Sequence, residues 1–188
     1  MASTRLVIDG YGQIELNNVA FRRDGRIVAQ CALDTVAFAS VKAENGMLLA
    51  VDEVNRKVGV PTDASLPVAL NYSAEHIYDE RTPGLKNFAL DATGDFYPRL
   101  GYLAVGDKFT TNCVSFDSAK DSTWTTQTAF ISALASYKTT PLYGGIGSDD
   151  GSILVSAAQP TQGPVLKVAE KTTMPDGTLG IKFQVIAD

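Results

Sequence analysis

The chain has 188 residues, a formal net charge of −5, 45% hydrophobic residues and 20% charged residues. These values indicate a globular protein of one domain or two small domains, long enough to bury a core without metals or disulfides. The acidic balance argues against nucleic acid as a partner, because phosphate backbones require a basic surface.

Few residues carry the chemistry that enzymes and cofactors use. His76 is the single histidine, and the two cysteines, Cys31 and Cys113, belong to no Cys-x-x-Cys pair. We therefore predict buried thiols, no cofactor, no metal and no enzyme activity. No signal peptide is expected, and no run reaches the roughly 18 apolar residues of a membrane span. Synthesis in a reducing cytosol, without a membrane partner, is the expectation.

Alternating apolar residues predict a hairpin at the N-terminus. The runs at residues 6–8 and 14–16 each alternate, and Asp9-Gly10-Tyr11-Gly12 between them is typical of a turn. A second tight turn is expected at Asp24-Gly25, which can supply positive φ angles.

Further apolar runs, separated by glycine, proline and aspartate turns, predict the strands of a β-rich domain. Pro98 cannot donate a hydrogen bond to a sheet ladder, so its run is expected at an edge or a bulge. The last two runs, joined by Met174-Pro175-Asp176-Gly177, predict a terminal hairpin. The predicted strands span residues 47–51, 57–60, 66–72, 86–90, 96–105, 108–116, 153–157, 165–169 and 180–186.

One segment, residues 123–137, has helical character. Ile131 and Leu134 fall near a 3.6-residue period. Asp121-Ser122 can cap the start, and Pro141 prevents continuation.

Together these elements predict a mainly β fold, a sandwich or small barrel of short antiparallel strands with one α-helix near residues 123–137. No period of about 20–50 residues repeats, which argues against a solenoid or propeller. Residues 1–40 are expected to form an N-terminal hairpin or an arm, and residues 41–188 the β-rich main domain.

Two loops have features of calcium sites. Residues 143–151 contain Gly-Gly-x-Gly-x-Asp, as in one calcium-binding nonapeptide of β-helix proteins, but such sites need stacked copies. A surface turn is the favoured interpretation of residues 144–151, and ion binding there stays open. Residues 91–95 begin like an EF-hand loop, but Phe96 and Tyr102 occupy the positions that need glycine and glutamate.

The densest polar and aromatic cluster lies between residues 72 and 81. His76 beside carboxylates suits a general base or a metal ligand, and Ser73 is near enough to suggest a nucleophile. The chain has no Gly-x-Ser-x-Gly elbow and no second histidine, so a loop that docks on a neighbouring protein is favoured. Tyr, His and Arg suit that role because they combine contact area with hydrogen bonding.

A resemblance to a known class rests on three segments, Glu44 to Asp52, Leu66 to Tyr72 and Phe96 to Asp107, with the tail at residues 163–186. They resemble structural proteins of tailed-bacteriophage virions, of the capsid decoration (cement) or head-fibre-base type, over residues 44–188. The resemblance implies a module that binds the capsid exterior, often as a trimer, and has no catalytic residues. It implies a virion location after synthesis in the host cytoplasm. The implied partners are the major capsid protein, other virion subunits and sister copies.

Contacts are expected from arginines, tyrosines and the histidine in predicted loops. Arg22, Arg23 and Arg26 surround the Asp24-Gly25 turn, which predicts a charged hairpin tip or a docking point for an acidic neighbour. The expected contact residues are Arg22, Arg23, Tyr72, His76, Tyr78, Arg81, Arg99 and Tyr102.

Three alternatives stay open. A tail-tube or head–tail connector subunit belongs to the same class and would form hexameric rings. A carbohydrate-binding β module would present an exposed planar row of aromatic residues, such as Tyr97, Tyr102 and Trp124. A hydrolase would use the His76 loop.

Overall fold

The computed structural model describes residues 4–6, 10–22, 31–62, 65–73, 88–93 and 97–188. Within these residues the fold is mainly β with one helix, and one sheet curls into a half-barrel, which confirms the predicted fold class. Helix α1 spans Gln127–Ala135. The strands are β1 (Thr4–Arg5), β2 (Ile14–Asn18), β3 (Ala32–Leu33), β4 (Ala43–Glu44), β5 (Leu48–Asp52), β6 (Lys57–Gly59), β7 (Val68–Asn71), β8 (Ala89–Leu90), β9 (Leu100–Gly101), β10 (Lys108–Thr111), β11 (Val114–Phe116), β12 (Tyr143–Gly145), β13 (Ile153–Ser156), β14 (Val165–Thr173) and β15 (Leu179–Ala187).

The described strands form three sheets. The order is β1-β11-β13-β12-β14-β15-β10-β2 in the eight-stranded sheet and β3-β6-β5-β7-β9 in the five-stranded sheet, while β4 pairs with β8. Most neighbours are antiparallel, as predicted, but β11–β13 and β3–β6 are parallel. A parallel pair needs a long crossover connection, and α1 lies within the connection between β11 and β13.

Strand β5 lies between two core clusters. Leu48 belongs to the cluster of the eight-stranded sheet and α1, whereas Leu49 and Val51 belong to the second cluster. All three are at most 1% exposed. Because successive strand residues point to opposite faces, β5 is buried on both faces. This explains why its apolar run is continuous rather than alternating.

Helix α1 begins at Gln127, later than the sequence predicts. Its N-cap is Thr126, whose hydroxyl accepts a hydrogen bond from the backbone N–H of Ala129 at 3.2 Å. The predicted cap, Asp121, instead accepts one from the N–H of Thr123 at 2.9 Å. This local turn satisfies Asp121 before the helix starts.

The buried face of α1 packs on β11. The ring of Phe130 stacks on Phe116 with 4.7 Å between centroids and meets the ring of Trp124 edge-on at 5.2 Å. Trp124 is only 3% exposed. Trp124 therefore does not belong to an exposed row with Tyr97 and Tyr102, and this part of the prediction is wrong.

The first run of the predicted N-terminal hairpin, residues 6–8, lies mostly outside the described residues, so the predicted pairing stays a prediction. Strand β1 pairs with β11 and β2 pairs with β10, so the two strands lie at opposite edges of the eight-stranded sheet. Strand β3 pairs with β6 of the five-stranded sheet. Alternation predicts a strand but does not choose its partner, which long-range contacts decide here. The turn predicted at Asp24-Gly25 lies outside the described residues.

The glycine-rich segment begins as a strand. Strand β12 lies inside the eight-stranded sheet, between β13 and β14. A Cβ on Gly144 would lie 2.6 Å from Cγ2 of Ile153 and 2.9 Å from Cε1 of Phe183, so only glycine lets these neighbours approach. The predicted surface turn is therefore wrong for residues 144–145. A turn follows, and it includes Gly151 with a φ of 86°.

Three other predictions are confirmed. Strands β14 and β15 form the terminal antiparallel hairpin. Among the described strands, β9, which follows Pro98, lies at an edge of the five-stranded sheet. Cys31 and Cys113 are buried free thiols.

Candidate interaction surface

The structure brings together four of the eight predicted contact residues. Arg22, Tyr72, Arg99 and Tyr102 lie around β9, with Tyr72 packed against the first core cluster and Tyr102 against the second, and we call these four residues the β9 surface. The other four lie outside the described residues; they are Arg23, His76, Tyr78 and Arg81.

A buried carboxylate holds the backbone that leads to Arg22. Asp107 is 4% exposed. It accepts hydrogen bonds from the N–H groups of Ala20 at 2.9 Å, Phe21 at 3.1 Å and Ala104 at 2.9 Å. Phe21 has a φ of 55°, in the left-handed region that residues with a side chain rarely adopt. The bonds to Asp107 therefore stabilise a conformation that Phe21 alone disfavours.

Two aromatic rings pack against each other next to β9. The ring of Phe21 lies over Gly101 of β9, where a Cβ would be 2.6 Å from Cε1 of Phe21. Phe21 also stacks on Tyr72, with 5.0 Å between centroids. Burial raises the pKa of the Tyr72 hydroxyl above its ordinary value, and the charge of Arg99 opposes this rise. The hydroxyl therefore stays protonated at neutral pH and can donate a hydrogen bond.

Arg22 is fixed at its backbone and at its guanidinium. Its N–H donates to the carbonyl of Tyr102 at 2.9 Å, and its Nε donates to the carbonyl of Leu103 at 3.1 Å. Its Nη2 lies 2.5 Å from Oδ2 of Asp188. The side chain remains about half exposed. Part of the guanidinium thus faces solvent in a defined orientation.

Arg99 is held through its backbone while its side chain is exposed. Its carbonyl accepts from the N–H of Tyr72 at 3.0 Å, and its N–H donates to Oγ of Ser73 at 2.8 Å. The Ser73 hydroxyl is nearly buried and donates to Oδ1 of Asn71. In the described structure Ser73 therefore positions Arg99, which gives this hydroxyl a structural role.

A shallow depression of about 230 Å³ adjoins Arg22. Leu66 on its rim is 37% exposed. Charged and apolar groups are therefore mixed here, which is typical of protein-binding surfaces. The depression is lined by Arg22, Leu66, Pro67, Val68, Leu103, Gly163, Pro164 and Asp188.

A second polar site, which the sequence did not reveal, lies under β1. Nη2 of Arg5 is 2.5 Å from Oε2 of Glu44, and Nη1 is 2.8 Å from Oδ2 of Asp150. The side chains are 21%, 11% and 20% exposed. We call the two carboxylates the acidic socket. The N–H of Gly12 donates to the same Glu44 oxygen at 2.6 Å, so this carboxylate also joins β1 to the segment before β2.

The Arg5 guanidinium and nearby hydrogen bonds stabilise the charged form of Asp150 in the acidic socket. Burial alone would raise the pKa of Asp150, but hydrogen bonds from Ser152 and the charge of Arg5 outweigh burial and leave it below its ordinary value. Burial raises the pKa of the nearby Cys113 thiol, so this thiol stays protonated. The Asp150 carboxylate therefore keeps its negative charge near neutral pH, opposite the Arg5 guanidinium.

This site could not be predicted from the sequence, because Arg5, Glu44 and Asp150 are far apart in the chain. Arg5 is 39 positions from Glu44 and 145 from Asp150. Asp150 belongs to the segment considered for calcium, but its carboxylate binds Arg5 and Ser152 instead. In the part of the chain that the structure describes, no three His, Cys, Asp or Glu side chains are grouped to hold a metal ion.

The chain matches no protein-family model, no curated protein and no solved structure. Among the described residues, no helix combines the length and hydropathy of a membrane span.

Proposed function

We propose that this protein is a structural subunit of a tailed-bacteriophage virion that binds the capsid exterior through the β9 surface. The observation that carries the interfacial part is the convergence of Arg22, Tyr72, Arg99 and Tyr102 around one edge strand. A subunit that binds the assembled shell but not its separate components stabilises the assembled shell by mass action.

The β9 surface has the composition and support of a binding site. Arginine and tyrosine are the residues that most often dominate the energy of protein interfaces. Here they rest on ordered partners, since Tyr72 stacks on Phe21 and Arg22 binds the Leu103 carbonyl. A surface that is already ordered loses less conformational entropy when a partner binds.

The virion part of the proposal comes from the resemblance of residues 44–188. Its three quoted segments contain β5, β7 and β9, which are consecutive neighbours in the five-stranded sheet. These three segments thus adjoin one another in the five-stranded sheet and contribute Tyr72, Arg99 and Tyr102 to the β9 surface, whereas Arg22 lies outside the resemblance and the tail at residues 163–186 belongs to the eight-stranded sheet. The proposed partners are the major capsid protein or other virion subunits, and sister copies.

Co-sedimentation with purified capsid shells tests the proposal. The wild-type chain should bind, and Arg22→Ala and Arg99→Ala should each weaken binding by about thirtyfold, the effect of losing about 2 kcal/mol at a hot spot. Lys167→Ala removes a positive charge from an exposed position on β14 and should bind normally. Circular dichroism of each variant checks that the fold is retained. Absence of wild-type binding to shells would overturn the proposal.

The same material separates the tail-tube and connector alternative. A tube or connector subunit would assemble into hexameric rings in solution, and a decoration protein would be a monomer or trimer. Light scattering of the purified chain measures this mass directly. Rings without shell binding would replace the decoration function by the alternative.

A further inference from the structure

A groove of about 370 Å³ lies on one face of the eight-stranded sheet, and we call it the Lys120 groove. Leu154 and Ser156 of β13 line it. Because successive strand residues point to opposite faces, they point away from Ile153 and Val155, which belong to the core cluster of this sheet. The volume falls within the range of about 300–1,000 Å³ that is typical of ligand sites.

The loop between β13 and β14 forms a wall of the groove and is held in place. Oγ of Ser156 donates to the carbonyl of Ala158 at 2.6 Å and accepts from the N–H of the same residue at 3.0 Å. Pro160 packs over Gly145 of β12, where a Cβ would lie 2.7 Å from Cγ of Pro160. The groove is therefore formed before a ligand binds, which reduces the entropy lost on binding.

Five exposed polar side chains line the groove without a partner of their own. In the part of the chain that the structure describes, none of these side chains forms a hydrogen bond or an ion pair. They are Thr62, Lys120, Gln159, Thr161 and Gln162. Amides and hydroxyls both donate and accept hydrogen bonds, so four of the five suit a ligand that is rich in hydroxyl groups.

The charge of the groove favours an anion. Among the described residues that line it, Lys120 alone is charged, and it is positive in a chain of net charge −5. The backbone of Lys120 is held by Asp117, whose carbonyl accepts its N–H at 2.9 Å. A ligand carboxylate can form a charge-assisted hydrogen bond with Lys120. One lysine is too few for a nucleic acid, whose affinity comes from many phosphate contacts.

The position of the groove in the sheet favours a saccharide over an extended peptide. Among the described strands, β12 and β13 each have a neighbour on both sides, so neither offers a free edge to an added strand. Recognition therefore depends on side chains. Ile146, Leu154 and Pro160 supply apolar surface for the C–H face of a sugar ring.

We propose that the Lys120 groove binds an anionic saccharide, with a sugar carboxylate on Lys120 and sugar hydroxyls on the glutamine and threonine side chains. This binding is independent of the proposed shell binding, because no residue of the β9 surface lines the groove.

NMR titration of the full-length ¹⁵N-labelled chain tests this proposal. The probe is trigalacturonate, and its methyl ester keeps the hydroxyl groups without the charge. Trigalacturonate at millimolar concentration should shift the amide signals of residues 119–120, 146–147 and 158–162, which line the groove or adjoin its lining residues. The methyl ester should bind about tenfold more weakly, because it cannot form the charged contact.

Three variants separate the charged contact from the hydroxyl contacts. Lys120→Gln should weaken trigalacturonate binding by about tenfold and remove its advantage over the ester. Gln162→Ala should weaken the binding of both saccharides. Lys138→Gln changes an exposed lysine outside the groove and should weaken neither. Lys120→Gln should bind capsid shells as wild type does, so this proposal and shell binding can fail separately.

Two kinds of result would overturn the proposal. The first is a wild-type chain whose groove signals do not shift with trigalacturonate, or a Lys120→Gln chain that still prefers the acid to the ester. The second is inorganic phosphate or triglutamate that binds as tightly as trigalacturonate, since the groove would then recognise charge without recognising the sugar.

Discussion

Nη2 of Arg5 lies 2.5 Å from Oε2 of Glu44, although 39 positions separate the two residues. Glu44 also accepts the N–H of Gly12, and Arg5 binds Asp150 as well. One guanidinium therefore joins the N-terminal strand to the segment before β5 and to the loop before β13. The stability of this junction depends on all three charges being present together.

Removal of the guanidinium should be costly. In Arg5→Ala two partly buried carboxylates lose their cation, and we expect the free energy of unfolding to fall by about 3 kcal/mol. Urea denaturation at neutral pH measures this change. Lys167→Ala, at an exposed position, should change the same quantity by less than about 0.5 kcal/mol. Equal losses in the two variants would contradict a stabilising role for the acidic socket.

The acidic socket should also make stability depend on pH. Asp150 has a folded pKa below its ordinary value of 3.8, so its contribution is present above that pH and is lost as the pH falls through the folded pKa. The wild-type chain should therefore be more stable than Asp150→Asn near neutral pH, and the difference should shrink below pH 3.8. Urea denaturation of both chains over a pH series checks this. A difference that stays constant down to pH 2 would rule it out.

Strand β12 should tolerate no side chain at its centre. In Gly144→Ala the new Cβ would lie 2.6 Å from Ile153 and 2.9 Å from Phe183, and we expect a loss of about 2 kcal/mol in unfolding free energy. Gly59→Ala is the matched control, since a Cβ at that β6 position meets nothing within 4 Å. Thermal unfolding of the two variants should separate them clearly. A tolerated Gly144→Ala would mean that β12 packs less closely than described.

The pattern of apolar residues predicted the strands whose burial stays the same along their length. Strand β5 could be predicted because it is buried on both faces and is apolar throughout. Strands β14 and β15 could be predicted because one face is buried and the turn at Asp176-Gly177 fixes their pairing. Strand β12 could not, because Gly144 is required by the approach of Ile153 and Phe183, and Gly145 by the approach of Pro160. Glycine in a sequence otherwise indicates a turn.

The candidate surface could be predicted from the sequence only in part. Arg22, Tyr72, Arg99 and Tyr102 were chosen by residue type and loop position, and they lie together in the structure. The groups that order them were not chosen. The local sequence Gly106-Asp107 indicates only a turn, whereas Asp107 is buried and accepts hydrogen bonds from three backbone N–H groups. A carboxylate that binds residues 86 and 87 positions away leaves no local signal.

Because Asp107 holds the backbone next to Arg22, we expect a substitution of this buried residue to weaken shell binding. Asp107→Asn replaces one acceptor oxygen by an NH₂ group that faces a backbone N–H, so we expect a loss of about 2 kcal/mol in unfolding free energy. Because Phe21 and Arg22 would no longer be held in place, shell binding should weaken by about tenfold, or about 1.4 kcal/mol, although Asp107 itself is buried.

Co-sedimentation with capsid shells, at a temperature well below the unfolding midpoint of the variant, measures this effect on folded protein. Asp121→Asn removes a partly exposed carboxylate elsewhere and should leave binding unchanged, which separates the loss of position from the loss of charge. Wild-type affinity in folded Asp107→Asn would show that the turn at residues 20–22 does not position Arg22 for binding. A loss confined to Asp107→Asn would show that it does, because the two variants differ in what the carboxylate holds and not in net charge.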